Sequence, residues 1–230
     1  EIGEVTDYIR VLDRSGYFET VTLSEDDLKR NDMYRANAQR AKAQSRFADY
    51  HDYLLSLEMT AEIGDFSPLY LQRITQLTNK SNQFNLTTKR YTAEQMEAVY
   101  NSDEYIRLYG KLYDKFGDNG VVAVTIGKTD SEDKGRLDIE LWLMSCRVLK
   151  RDMELAMLDS LVEQAKKRGI REIYGHYYPT AKNKMVAGLY ESFGFEKISQ
   201  DEEGNTAWRL LVEGYEDKNT VIKVKEEHYA

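Results

Sequence analysis

The sequence predicts an α/β domain built on one mixed, mostly antiparallel sheet with flanking helices, preceded by a helical extension. Three observations carry this. Residues 105 to 148 read as three strands joined by short connections, which suits antiparallel pairing. Two strand–helix–strand units follow, and these imply right-handed crossovers. Ahead of both, Ser24 to Leu57 contains neither Pro nor Gly, and Phe47, Tyr50, Leu54 and Leu57 fall at helical spacing.

The elements follow in chain order. Val5, Tyr8, Ile9 and Leu12 make a short helical pattern, and Ser24 with Asp27 resembles a capping box ahead of the long helix. Such a helix would run about 50 Å at 1.5 Å per residue, which suits a surface or connecting role. Tyr70, Ile74 and Leu77 predict a helix ending near Asn79, and Thr92 starts another. Between them Asn82, Asn85, Thr87 and Thr88 form a polar loop around Phe84. Strands are expected at 105–116, 121–126 and 137–148, with Asp118-Asn119-Gly120 as a turn. Residues 152 to 168 are an amphipathic helix stopped by Gly169. A strand at 170–178, a helix from 182 to 193 and a hairpin over 195–212 complete the order. No internal repeat interrupts it.

Composition narrows the function. The chain has 230 residues, 41% hydrophobic and 31% charged, as an ordinary globular protein does. Lys and Arg total 32 against 40 Asp and Glu, a net charge of -8 that disfavours binding to nucleic acid. Apolar runs such as Val121 to Val124 are too short to span a membrane. A single cysteine, Cys146, leaves no disulfide framework and fits a cytoplasmic protein. Three histidines and one cysteine, scattered along the chain, leave little for a metal site.

The element order and several motifs carry a resemblance. Asn183 to Phe195, N-K-M-V-A-G-L-Y-E-S-F-G-F, is similar to the late helix motif of the GNAT acyltransferases. Gln76 to Thr92, Phe116 to Gly120, Ser145 to Leu149 and Pro179 to Asn183 resemble the FkbH-like family. In that family a haloacid-dehalogenase-like domain precedes a GNAT-like domain. The resemblance implies that residues 1–65 are the helical tail and linker of a missing phosphatase-like domain, and that 66–230 are the GNAT-like domain. It also implies a part in building glyceryl or methoxymalonyl-type polyketide extender units on an acyl carrier protein. The D-x-D-x-T type motif of phosphatase chemistry does not occur in the chain, so no phosphatase activity is expected of it.

The site residues come from the same resemblance. Pantetheine, from coenzyme A or a carrier protein, is expected between the splayed strands 137–148 and 170–178. The pyrophosphate loop falls on Arg147, Val148, Leu149, Lys150, Arg151 and Asp152. There Lys150 and Asp152 stand where the family places glycines, which let backbone approach phosphate. Lys150 and Arg151 could hold phosphate by charge, whereas Asp152 sets a carboxylate at the anion's place or serves as helix N-cap. Tyr190 aligns with a tyrosine that protonates a leaving thiolate, or is a core aromatic. Asn183 binds a ligand amide or caps its helix. Asn82, Asn85, Thr87 and Thr88 select the acceptor or form a hydrogen-bonded turn. Cys146 is expected as a buried structural thiol on a central strand, with His176 as its one candidate partner for nucleophilic chemistry. Two readings stand: an acyltransferase, and a non-catalytic module that docks a carrier protein or supports the missing domain.

Overall fold

The computed structural model describes residues 30–226. The short helical pattern over 5–12, the Ser24–Asp27 capping box and the start of the long helix lie outside them. The chain divides into two compact units, 1–42 and 43–230. Residues 60–65, at the end of the expected linker, are a strand of the sheet.

Helix α1 (Arg30–Gln44) is followed by a break and α2 (Tyr50–Ser56), not by one continuous helix. Asp49 causes the restart: its carboxylate accepts the backbone N–H of Asp52 at 3.0 Å, an N-cap that competes with helix continuation. Then come β1 (Thr60–Asp65), α3 (Pro68–Lys80), β2 (Phe84–Asn85), α4 (Ala93–Tyr100), β3 (Tyr105–Asp114), β4 (Gly117–Thr129) and β5 (Arg136–Met144). A 3-10 turn, Cys146–Val148, leads to α5 (Met153–Lys167) and β6 (Glu172–Tyr177). A second 3-10 turn, Lys184–Val186, precedes α6 (Leu189–Ser192), β7 (Glu196–Gln200), β8 (Thr206–Leu211) and β9 (Lys223–Glu226). The helix expected over 182–193 is thus two short pieces, parted at Gly188, whose flexible backbone weakens helix.

These strands form one sheet in the order β7-β8-β6-β5-β4-β3-β1-β9, with β2 pairing β5 off that path. Two pairs are parallel, β5 with β6 and β1 with β9; the rest are antiparallel. One face carries Leu137, Ile139, Trp142, Ile173 and Tyr177 in a core shared with Leu54 of α2, α5 and Tyr190 of α6. On the other face Ile74 and Leu77 of α3 and Met96 and Val99 of α4 cover Val124, Ile126, Leu141 and Leu143.

Two contacts place the helices near the site. A Cβ on Gly110 of β3 would come within 2.3 Å of Met153 Cε, so the missing side chain lets the start of α5 lie on the sheet. Asp159 of α5 accepts the Tyr215 hydroxyl at 2.5 Å and the backbone N–H groups of Lys218 and Asn219 at 3.0 and 2.8 Å. That carboxylate leads the last segment back across α5 to β9.

Gly175 of β6 has a similar role beneath α6. A Cβ there would stand 2.4 Å from the Tyr190 ring, which is 1% exposed and tilted against Phe195 and Trp208. The ring has no room to retreat. Gly175→Ala should therefore destabilise the protein by about 1–3 kcal/mol, as overpacked cores do. Urea unfolding of the variant beside the parent checks this, and equal midpoints would show that α6 yields.

Candidate functional site

Parallel strands β5 and β6 pair only at Arg136, Leu137 and Asp138 against Glu172, Ile173 and Tyr174. Beyond these residues they diverge into a wedge. The divergence agrees with the splayed strands expected from the sequence, but the wedge holds a piece of the same chain. Phe84 and Asn85 pair with Met144 and Leu143 of β5. Leu86 donates its N–H to the Trp142 carbonyl at 3.1 Å and accepts the Tyr178 N–H at 2.9 Å. Thr87 Oγ1 donates to the Glu140 carbonyl at 2.7 Å.

Asn183 locks this strap. It is fully buried; its Nδ2 donates to the carbonyls of Asn85 and Tyr178, both at 2.9 Å. Its Oδ1 accepts from the backbone and hydroxyl of Thr180 at 2.7 and 3.0 Å. It neither caps the following helical turn nor has capacity left for a ligand amide. Asn85, also buried, takes the Thr88 N–H at 2.8 Å and donates to the Ser81 carbonyl at 3.3 Å, while Asn82 Oδ1 accepts from Arg90. Thr88 is held at φ +54°. The polar loop is a hydrogen-bonded strap held by the side chains of Asn82, Asn85 and Thr87.

The loop after β5 keeps a distinctive backbone. Ser145 Oγ accepts the Arg147 N–H at 3.4 Å, and Val148 turns into the core. Lys150 and Asp152 then adopt φ +63° and +60°, the left-handed region that glycine enters freely and other residues rarely do. These are the two positions at which the family resemblance places glycine. The side chains disagree with their expected roles in two cases. Arg151 points inward: it is 8% exposed and donates to Asp114 Oδ2 at 3.1 Å and Asn119 Oδ1 at 3.4 Å. Asp152 stands at the N-cap position of α5 but makes no capping bond. Arg147 and Leu149 are partly exposed and Lys150 is exposed, with its carbonyl accepting the Tyr50 hydroxyl at 2.7 Å.

The acids at the start of α5 are protonated more readily than usual. Burial raises the Asp152 carboxyl. Burial pushes the Glu154 carboxyl up to about 7, and the Asp152 charge adds to the rise. One Glu154 carboxylate oxygen is buried without a hydrogen-bond partner.

Tyr190 lies in the core with its hydroxyl beside the His176 backbone, and burial raises its pKa above that of a free phenol. The Trp142 indole N–H, on the β5 wall of the wedge, is buried and unpaired, and its ring stands 5.3 Å from Phe193. Cys146 corrects the expectation of a buried thiol. It falls beyond the end of β5, in the 3-10 turn, and is exposed. His176 turns to Asp138, with Nε2 3.3 Å from Oδ1, and Arg136 donates to both oxygens of that carboxylate, to Oδ1 at 2.7 Å and to Oδ2 at 2.8 Å.

Glu140 had no motif to mark it. It is the extra residue where β5 slips against β4, between Ile126–Leu141 and Gly127–Ile139. Its carboxylate accepts the Tyr91 hydroxyl at 3.0 Å and pairs with Lys89. These groups, with Gln95, Glu104 and Tyr105, line a groove of about 420 Å³. Among the described residues no cluster of His, Cys, Asp and Glu is placed to hold a metal ion, and no helix is long and apolar enough to cross a membrane.

No protein-family model and no curated protein sequence matches the chain. Solved structures do. The ribosomal-protein-S18-alanine N-acetyltransferase from Escherichia coli superposes with a TM-score of 0.50 at 13% identity, over 70% of this chain and 99% of that one. The protein yncA from Salmonella typhimurium, solved with its cofactor acetyl-CoA, gives 0.50 at 14% identity over 69% and 96%. The GNAT domain of S. lividans PAT gives 0.51 at 14% identity over 65% and 89%. The chain has the fold of the GNAT acetyltransferases, an α/β sheet with flanking helices.

The Glu154 carboxyl makes stability depend on pH. Its folded pKa of about 7 exceeds the unfolded 4.5, so its protonated form favours the fold. That contribution is complete below 4.5 and is lost as pH rises through 7, a swing of about 3 kcal/mol at most. Glu154→Gln should unfold at higher urea than the parent at pH 8, with the gap closing near pH 4.5. A gap independent of pH would assign the dependence to other groups.

Proposed function

We propose that this chain is an acyl-thioester-binding domain of the FkbH-like type. It binds the pantetheine thioester of coenzyme A or an acyl carrier protein, and transfers the acyl group. The observation that carries this reading is the loop 147–152. A lysine, ill-suited to left-handed backbone, and an aspartate, which tolerates it better, adopt it at the two glycine positions, directly ahead of a helix N-terminus, where unpaired N–H groups favour anions. The fold supports the same reading, and so does the acetyl-CoA bound by one structural neighbour.

In this reading the loop backbone holds the phosphates, and Arg151 does not, since its charge is met by Asp114. The thioester arm lies along the β5 edge after the 84–87 strap withdraws. The acceptor enters by the groove that Glu140 faces, which moves acceptor selection from Asn82, Asn85, Thr87 and Thr88 to Lys89, Tyr91 and Glu140. Tyr190 acts as a hydrogen-bond donor to the leaving sulfur rather than as its proton source. A phenol whose pKa burial has raised binds its proton more tightly than a thiolate near 8.5 does. The remaining parts of the proposal are a cytoplasmic location and an acyl carrier protein and a haloacid-dehalogenase-like domain as partners.

One observation favours the second reading, a docking or supporting module without catalysis. The strap spends the β5 backbone groups at Trp142 and Glu140 that a bound thioester would otherwise meet.

Calorimetric titration with acetyl-CoA separates the two. Under the first reading the chain binds, and Lys150→Gly with Asp152→Gly tightens binding by about tenfold to a hundredfold, since glycine opens the loop and removes a carboxylate. Stability should hold or rise. The left-handed strain relieved, about 1 kcal/mol per residue, offsets the entropy glycine adds to the unfolded chain. No heat from either protein would leave the docking module.

A further inference from the structure

Lysine has no preference for left-handed backbone, and no capping bond holds Asp152 at φ +60°. Aspartate tolerates the region better than lysine, so it is Lys150 above all whose shape must be held by contacts beyond its own backbone. The contacts at hand belong to the residue between them and to one neighbouring helix. Arg151 crosses to the β3–β4 hairpin, where Asp114, its side chain wholly buried, accepts at 3.1 Å and Asn119 at 3.4 Å. Both acceptors are fixed in turn. Asp114 Oδ1 takes the Phe116 N–H at 2.8 Å, and Asn119 Nδ2 donates to the Leu112 carbonyl at 3.1 Å. From the other side the Tyr50 hydroxyl of α2 reaches the Lys150 carbonyl at 2.7 Å.

We propose that Arg151 is a positioning residue: anchored on Asp114 and Asn119, it holds the 147–152 loop in the left-handed shape that glycines would adopt unaided. Tyr50 is the second strut. The hairpin and the loop are then one mechanical unit, and the β3–β4 turn sets affinity for a phosphate-bearing pantetheine without touching it. For that ligand the inference rests on the function proposed above; for the loop's shape it stands by itself.

The distinguishing property is rescue. If Arg151 replaces the intrinsic preference of glycine, it becomes dispensable once glycine is restored. Arg151→Met is made in the native chain and in the Lys150→Gly, Asp152→Gly chain, with Arg151→Lys as a milder variant that keeps the charge facing Asp114. Hydrogen exchange of the 147–153 amides is measured in all, together with acetyl-CoA affinity. In the native background Arg151→Met should raise exchange of these amides by about tenfold or more, and weaken acetyl-CoA by about tenfold, or 1.4 kcal/mol. In the glycine background both changes should fall below about threefold, a coupling between sites in direct contact. Arg151→Lys should lie between parent and Met, and it carries the comparison if the Met variant fails to fold. Equal effects in both backgrounds would overturn the proposal and leave Arg151 as an ordinary buried ion pair. Exchange rescued by glycine with no acetyl-CoA binding in any variant would uphold the clamp and refute the thioester reading.

Discussion

Strands β5 and β6 separate after three paired residues, and the rest of the site depends on how that separation is closed. Two diverging strands leave rows of backbone N–H and C=O groups that folding must pair. Here the chain closes the gap with itself. Leu86 bridges the two walls, Thr87 caps the bulged Glu140 carbonyl, and Asn183 ties strap to rim with all its polar capacity. The short link between α3 and α4 thereby becomes part of the sheet. A ligand seeking the same backbone groups has to compete with a segment already tethered nearby, whose effective concentration is high.

The loop ahead of α5 shows a different economy. Its backbone takes the left-handed turn of glycine at two positions, while its side chains bring carboxylates to the same place and bury the Arg151 cation against Asp114. Shape and charge at this spot have different origins. Shape is set by hairpin and helix contacts formed with the fold. Charge responds to solution conditions, since Glu154 and Asp152 both gain protons more easily than exposed carboxylates.

Much of the fold could be read from residue pattern. Alternation in 105–113, the periodic run 153–165 and the capping of α4 by Thr92 gave elements close to those observed. What escaped depends on partners far along the chain. Thr60–Asp65 has little strand character and becomes one by lying between β3 and β9. Phe84–Asn85 is a strand through Leu143 and Met144 alone. In the candidate site, the two left-handed positions, 150 and 152, coincide with the glycine positions of the motif. The inward turn of Arg151 was not legible, because Asp114 and Asn119 read as ordinary hairpin residues. Glu140 was hidden because a bulge is a property of two strands, not of one. Cys146 was misplaced by a strand end drawn four residues late.

The pairing of β9 with β1 bears on the order in which this molecule is made. Thr60 lies beside Lys223, and most of the described chain stands between them. During synthesis β1 can join β3 as soon as that strand emerges, but its other edge stays open until residues 223–226 leave the ribosome. The hold of Asp159 on Tyr215, Lys218 and Asn219 shortens the search that remains, bringing the tail to α5 before it meets β1. A nascent chain stalled before residue 215 would carry an unprotected sheet edge, the kind of surface on which chains join one another.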